Sequence, residues 1–173
     1  MLPKLTFVLG GAASGKSAFA ENLIVQTGAP RVYIATAEVY DSEMEAKVQR
    51  HKTMRGPNWR SIEAPRDLGP AFTSVSKDEI ALLDCATMWL TNHMMGEADI
   101  EAQTSDLLHQ LATCEGRVVV VSNEVGMGIV PDNAMARRFR DLQGRLNQRL
   151  ADQSELAVFV VAGQPLVLKG TLP

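Results

Sequence analysis

The sequence predicts an α/β fold, a single domain over residues 1–173 built as a mostly parallel sheet flanked by helices. Three observations predict it. Short apolar runs alternate with longer amphipathic stretches, the pattern of βα units. The apolar runs are nearly continuous rather than alternating, as strands covered on both faces should be. A glycine-rich loop also joins the first apolar run directly to a helical stretch.

Five runs rich in Val, Ile, Leu or Phe are expected strands: Lys4–Leu9, Arg31–Ala35, Glu79–Asp84, Arg117–Ser122 and Leu156–Ala162. A last short strand is expected after Pro165, at Leu166–Lys169. The segment Gly56–Pro70 carries three prolines and reads as irregular structure around a short strand at Trp59–Glu63. Helices are expected between the strands. Lys16–Gln26 follows the glycine loop and stops at Thr27-Gly28. Ser42 with Glu45 resembles a capping box that opens a helix to about Met54. Ile100–Cys114 is a further helix, and Asp132–Asp152 carries Met135, Phe139, Leu142, Leu146 and Leu150 at three- and four-residue steps.

The 173 residues suit one domain, and 46% hydrophobic with 21% charged residues can build a buried core. A net charge of −3 gives no general attraction to nucleic acid or anionic membranes. Cys85 and Cys114 stand far apart without a CxxC or Cys/His cluster, against a disulfide framework or structural zinc. The apolar start is far shorter than a membrane span and reads as the first strand. The expectation is a cytoplasmic protein with no membrane insertion.

Gly10-Gly11-Ala12-Ala13-Ser14-Gly15-Lys16-Ser17 matches G-x-x-x-x-G-K-[ST] at every fixed position, between a strand and a helix. Glycines let successive backbone N–H groups turn toward phosphate oxygens, and the helix start adds its free N–H groups and positive dipole end. Lys16 can reach the β- and γ-phosphates of a nucleoside triphosphate, and Ser17 can ligate Mg²⁺. A second acidic partner is expected at the end of a neighbouring strand. Asp84, closing Ile80-Ala81-Leu82-Leu83-Asp84, can hold the Mg²⁺ shell or merely cap the following turn. The guanine-reading Asn-Lys-x-Asp is absent, and Asp141-Leu142-Gln143-Gly144 matches D-x-x-G only inside an expected helix.

His51 lies late in the Ser42–Met54 stretch between Arg50 and Lys52, with Arg55 close by, and shares a face with Met44 and Val48. It is either a packing histidine or a neutral ring kept free for attack on phosphorus by the surrounding cations. His93 and His109 lack such company and read as structural.

Several runs in order resemble one family. They are Gly10–Ser17, Tyr33–Glu38, Asp41-Ser42-Glu43-Met44 leading to His51-Lys52, Leu83-Asp84-Cys85 and Trp89-Leu90-Thr91-Asn92. The most specific is Ser122-Asn123-Glu124-Val125-Gly126-Met127-Gly128-Ile129-Val130-Pro131, followed by Ala136–Asp141 and Gly144–Gln148. The chain resembles, from Phe7 to about Lys169, the bifunctional adenosylcobinamide kinase/adenosylcobinamide-phosphate guanylyltransferases of cobalamin biosynthesis. The resemblance implies a RecA-like sheet and a homotrimer with nucleotide held near subunit boundaries. It implies phosphorylation of the aminopropanol hydroxyl of adenosylcobinamide from ATP or GTP. Transfer of GMP from GTP would follow, with His51 as the guanylylated nucleophile and pyrophosphate leaving. Nucleotide contacts carry over to Gly10–Ser17, to Thr36, Ala37 and Glu38, to Lys52, Thr53, Met54 and Arg55, and to Glu63 and Asp84. Ala13 departs from the pattern, since the family commonly has Arg there. A kinase without nucleotidyl transfer and a non-enzymatic nucleotide-binding module are the competing readings; a simple kinase needs no histidine nucleophile.

Overall fold

The computed structural model describes residues 1–38 and 58–173. The expected Ser42–Met54 helix, His51 and Lys52 to Arg55 lie outside the described residues. The chain runs β1 (Leu5–Gly10), α1 (Lys16–Val25), β2 (Arg31–Ala35), β3 (Trp59–Glu63), α2 (Gly69–Thr73) and β4 (Ile80–Asp84). It continues through α3 (Ala86–Met95), α4 (Ile100–Thr113), β5 (Arg117–Asn123), α5 (Ala134–Gln153), β6 (Leu156–Val161) and β7 (Gln164–Lys169).

The sheet order is β3-β2-β4-β5-β1-β6-β7, parallel throughout except for the antiparallel β6–β7 hairpin. Continuous apolar strands bury both faces, as expected. Leu5 and Phe7 of β1, Ala81 and Leu83 of β4, and Val118 and Val120 of β5 point to one core with Trp89, Leu107, Leu111, Leu146 and Leu150 of the helices. Val8, Leu82, Val119, Val121 and Val158 form the other with Ala20, Leu23 and Ile24 of α1. This period-two partition holds the register, because a one-residue slip would swap the two faces.

Helix ends follow local chemistry. Asp99 caps α4 by accepting from Glu101 and Ala102 N–H. Asn133 caps α5 by accepting from Ala136 N–H, so that helix starts two residues later than its expected onset at Asp132. The apolar stripe of α5 is buried at Leu146 and Leu150, whereas Met135 is exposed. The D-x-x-G match at 141–144 lies within α5. Helix α3 was not expected at all, since what it buries includes Thr87, Asn92 and His93, and no apolar stripe marks it.

Candidate active site

The carboxyl ends of the parallel strands bring most of the described candidates to one edge. Gly10 is the register partner of Asn123, Ala35 of both Asp84 and Glu63, and Asp84 of Val121. Gly10–Ser17, Thr36–Glu38, Glu63 and Asp84 therefore share the end of the sheet where open α/β folds take their ligands.

The loop after β1 is shaped by backbone geometry. Gly15 sits at φ 90°, the left-handed conformation that a side chain disfavours, and leads into α1 without a side-chain cap. A Cβ on Gly10 would lie 2.8 Å from the Val160 carbonyl, so that strand end must be glycine. Ala13 also adopts positive φ, at 54°. The uncapped N–H groups at the start of α1 remain available for an anion. Lys16 folds back, its Nζ donating to the Gly11 carbonyl at 3.2 Å. Support comes from the β6–β7 turn, where Ala162 and Gly163 both have positive φ, the conformation of a two-residue hairpin. Gly163 N–H donates to Ser14 O at 2.8 Å.

Asp84 does not end a strand beside β1, as the sequence suggested. β5 lies between them, placing the two strands roughly 10 Å apart. The buried Cys85 thiol lies within electrostatic reach of both the Asp84 carboxylate and the Lys16 ammonium. Burial, with Asp84 adding to it, pushes that thiol up to about 11. Tyr33, itself buried, donates its hydroxyl to Asp84 Oδ2 at 2.8 Å and so orients the carboxylate. Thr36 locks the same corner: its Oγ1 lies 2.8 Å from both the Cys85 carbonyl, to which it donates, and the Cys85 N–H, from which it accepts. Among the described residues no cluster of three His, Cys, Asp or Glu could hold a metal ion. Mg²⁺ needs no such cage, since it keeps waters and substrate phosphates as ligands, and the hydroxyl of Ser17 and carboxylate of Asp84 are hard oxygen donors of the chemical kind it takes.

Helix α3 ties the surrounding strand exits together. Asn92 Nδ2 donates to the Thr36 and Pro65 carbonyls, both at 2.8 Å. Trp89 Nε1 donates to the Arg66 carbonyl at 3.0 Å, and the His93 ring packs on Trp89 with centroids 4.6 Å apart. Burial lowers the His93 pKa, consistent with a structural histidine. Arg66 in turn pairs with Glu38 at 3.3 Å. Sequence reading gave Tyr33, Asn92 and Gly163 no task of their own. Tyr33 and Asn92 were signalled only as members of the Tyr33–Glu38 and Trp89–Asn92 runs of the resemblance, and Gly163 by nothing.

A model of the family described as cobinamide kinase / cobinamide phosphate guanyltransferase matches residues 6–168. The chain belongs to this family. The bifunctional adenosylcobalamin biosynthesis protein CobU of Salmonella typhimurium is 41% identical over 182 aligned positions, covering 95% of this chain and 99% of the relative. The protein of the same description, CobP, from Pseudomonas aeruginosa is 39% identical over 166, covering 94% and 96%. Among solved structures, an ATPase of a type III secretion system from pathogenic bacteria superposes with a TM-score of 0.52 at 10% identity, covering 90% of this chain and 50% of that one. That likeness concerns the fold alone, a P-loop α/β architecture.

Proposed function

We propose that this chain carries both activities in its family's description. It phosphorylates the aminopropanol hydroxyl of adenosylcobinamide from ATP or GTP, then transfers GMP from GTP through a guanylylated His51, yielding adenosylcobinamide-GDP and pyrophosphate. The observation that carries the reading is the convergence of Gly10–Ser17, Thr36–Glu38, Glu63 and Asp84 on one sheet edge, in a chain that matches the family over residues 6–168.

In the first step the loop N–H groups and the start of α1 hold the β- and γ-phosphates. Lys16 exchanges its bond to the Gly11 carbonyl for phosphate oxygens. Bound Mg²⁺ would neutralise charge on those oxygens, with Ser17 and Asp84 as its protein ligands. The substrate hydroxyl attacks the γ-phosphorus, the nucleoside diphosphate leaves, and the hydroxyl proton passes to a base. In the second step a neutral His51 nitrogen attacks the α-phosphorus of GTP and expels pyrophosphate, the surrounding Arg50, Lys52 and Arg55 offsetting the phosphate charge. A phosphate oxygen of the corrinoid product then attacks the guanylyl phosphorus, breaks the P–N bond and frees His51. Lys52, Thr53, Met54 and Arg55 complete the nucleotide contacts in this reading, with Ala12 and Ala13 contributing backbone only.

The working unit is proposed to be a homotrimer of this single domain, 1–173, acting in the cytoplasm on small molecules rather than nucleic acid. Support comes from apolar side chains that a lone subunit leaves in water: Met127, Ile129, Val130 and Met135 beside the start of α5, and Leu166 and Leu168 on the edge strand β7. No helix among the described residues is long and apolar enough to cross a membrane.

The test is incubation with Mg²⁺ and GTP labelled on the α-phosphate, followed by peptide mapping of the acid-labile adduct. The expected result is a GMP adduct on His51 that carries the α-label, is lost in His51→Asn, and carries no label when the γ-phosphate is labelled instead. Phosphorylation of adenosylcobinamide without any adduct would leave a kinase alone.

A further inference from the structure

The run Ser122–Pro131 is the most specific in the chain, yet the mechanism above assigns it no task. Behind its first residues lies a polar cluster sealed inside the protein. Ser122 and Gln143 are fully buried, Asn147 is 5% exposed and Thr87 7%. Ser122 Oγ donates to Asn147 Oδ1 at 2.7 Å, and Gln143 Nε2 donates to both Ser122 Oγ and Asn147 Oδ1 at 2.9 Å. With the Ser122 proton so committed, the Thr87 hydroxyl, 3.4 Å away, is the donor of that pair.

The cluster converges on one backbone residue. Asn123 N–H donates to Thr87 Oγ1 at 2.8 Å, and Asn147 Nδ2 donates to the Asn123 carbonyl at 3.1 Å. Both polar groups of Asn123 are thus gripped by side chains, from α3 on one side and α5 on the other. The next residue, Glu124, donates its N–H to the carbonyl of Gly10, the first residue of the phosphate loop, at 3.1 Å. Glu124 also turns its carboxylate back to accept from Gly126 N–H.

A cluster of this kind is a poor way to gain stability. Burying polar groups is costly unless every one is paired, and Gln143 Oε1 has no hydrogen-bond partner among the described residues. Apolar side chains of similar size would fill the same volume without that cost. What the cluster supplies is a fixed position for the end of β5.

We propose that Thr87, Ser122, Gln143 and Asn147 form a positioning clamp that holds Asn123 and the Glu124 backbone against Gly10, setting the geometry of the phosphate loop. They are positioning residues: they touch neither nucleotide nor corrinoid but fix the backbone that does. The inference rests on the reading that Gly10–Ser17 binds nucleotide. It adds that catalytic rate depends on a buried cluster joining α3 and α5.

The test compares full-length Thr87→Val, which keeps shape but removes the acceptor for Asn123 N–H, with Thr87→Ser, which restores it. Asn147→Leu removes the other grip. Val118→Ala, at the far end of β5, controls for loss of packing. Affinity for Mg-ATP and Mg-GTP is read by displacement of a fluorescent ATP analogue, and kcat and KM by phosphorylation of adenosylcobinamide, well below each variant's melting temperature. Thr87→Val and Asn147→Leu are expected to lose about tenfold or more in kcat and about fivefold in nucleotide affinity. Thr87→Ser and Val118→Ala are expected to stay within about twofold of the parent on both readouts. Unchanged kcat and affinity in Thr87→Val, or equal losses in Val118→Ala, would overturn the clamp. Should Asn147→Leu fail to fold, the Thr87 pair decides. A parent that binds nucleotide but leaves adenosylcobinamide untouched would defeat the enzymatic reading, while the affinity series would still judge the clamp.

Discussion

The carbonyl of Ser14 accepts a hydrogen bond from Gly163 N–H at 2.8 Å, so the tip of the β6–β7 hairpin braces the phosphate loop from behind. The approach is close at Gly15, where a Cβ would lie 3.1 Å from Gly163 Cα, whereas a Cβ on Gly163 would meet nothing within 4 Å. At φ 75° Gly163 is in the left-handed region, where a side chain costs about 1 kcal/mol or more. Gly163→Ala is therefore expected to lower the melting temperature by a few degrees and to weaken nucleotide binding through the displaced brace. Thermal melts and nucleotide titration of the same preparation check both effects. Loss of stability with unchanged affinity would leave the hairpin a scaffold without influence on the loop.

Lys16 supplies the only side-chain cation of the loop. Lys16→Ala removes compensation for charge that grows on the transferred phosphoryl group. Kinase turnover is expected to fall at least about a hundredfold, with a melting temperature close to the parent's. Initial rates at saturating nucleotide measure it, and near-parental turnover would refute the assigned role.

Asp84 and Tyr33 give an ordered pair of effects. Asp84→Asn removes the charge offered to Mg²⁺, whereas Tyr33→Phe leaves the charge and removes the 2.8 Å hydrogen bond that aims it. Tyr33→Phe is expected to raise the Mg²⁺ concentration needed for half-maximal activity about tenfold. Asp84→Asn should raise it further. Metal titrations of both variants at fixed nucleotide are the check; an unchanged titration for Asp84→Asn would return that carboxylate to a turn cap.

Residues that do one local thing were readable in the chain. The glycines and Lys16 of the phosphate loop announce themselves by spacing, and the strands by continuous apolar runs such as Val118–Val121. Sequence order, by contrast, is silent about which strands adjoin. Asp84 looked like the neighbour of the phosphate loop, yet β5 stands between, because sheet order is settled by how crossovers pack. Helix α3 escaped notice for a related reason. Its inward side spends Thr87 on the end of β5 and Asn92 and His93 on loop carbonyls, and an apolar period of 3.6 is then missing. Gly163 lies far along the chain from Ser14, and nothing local in an Ala-Gly turn says what it will touch.

The Cys85 thiol yields a prediction in pH. Burial beside Asp84 raises it from its ordinary value of 9.0 to about 11, so the folded protein holds this proton more tightly than the unfolded chain does. A group raised in this way contributes its full stability below the unfolded value and loses it as pH climbs through the folded one. Two units correspond to about 3 kcal/mol, an upper bound for so buried a thiol. The melting temperature should therefore fall between pH 9 and 11 more steeply in the parent than in Cys85→Ala. At neutral pH the same protonation makes Cys85 slow to react with a thiol reagent until the protein unfolds. Melts across that pH range for both proteins test the linkage. Equal slopes would mean that the thiol titrates in the folded protein as it does in the unfolded chain, and that its burial does not hold the proton.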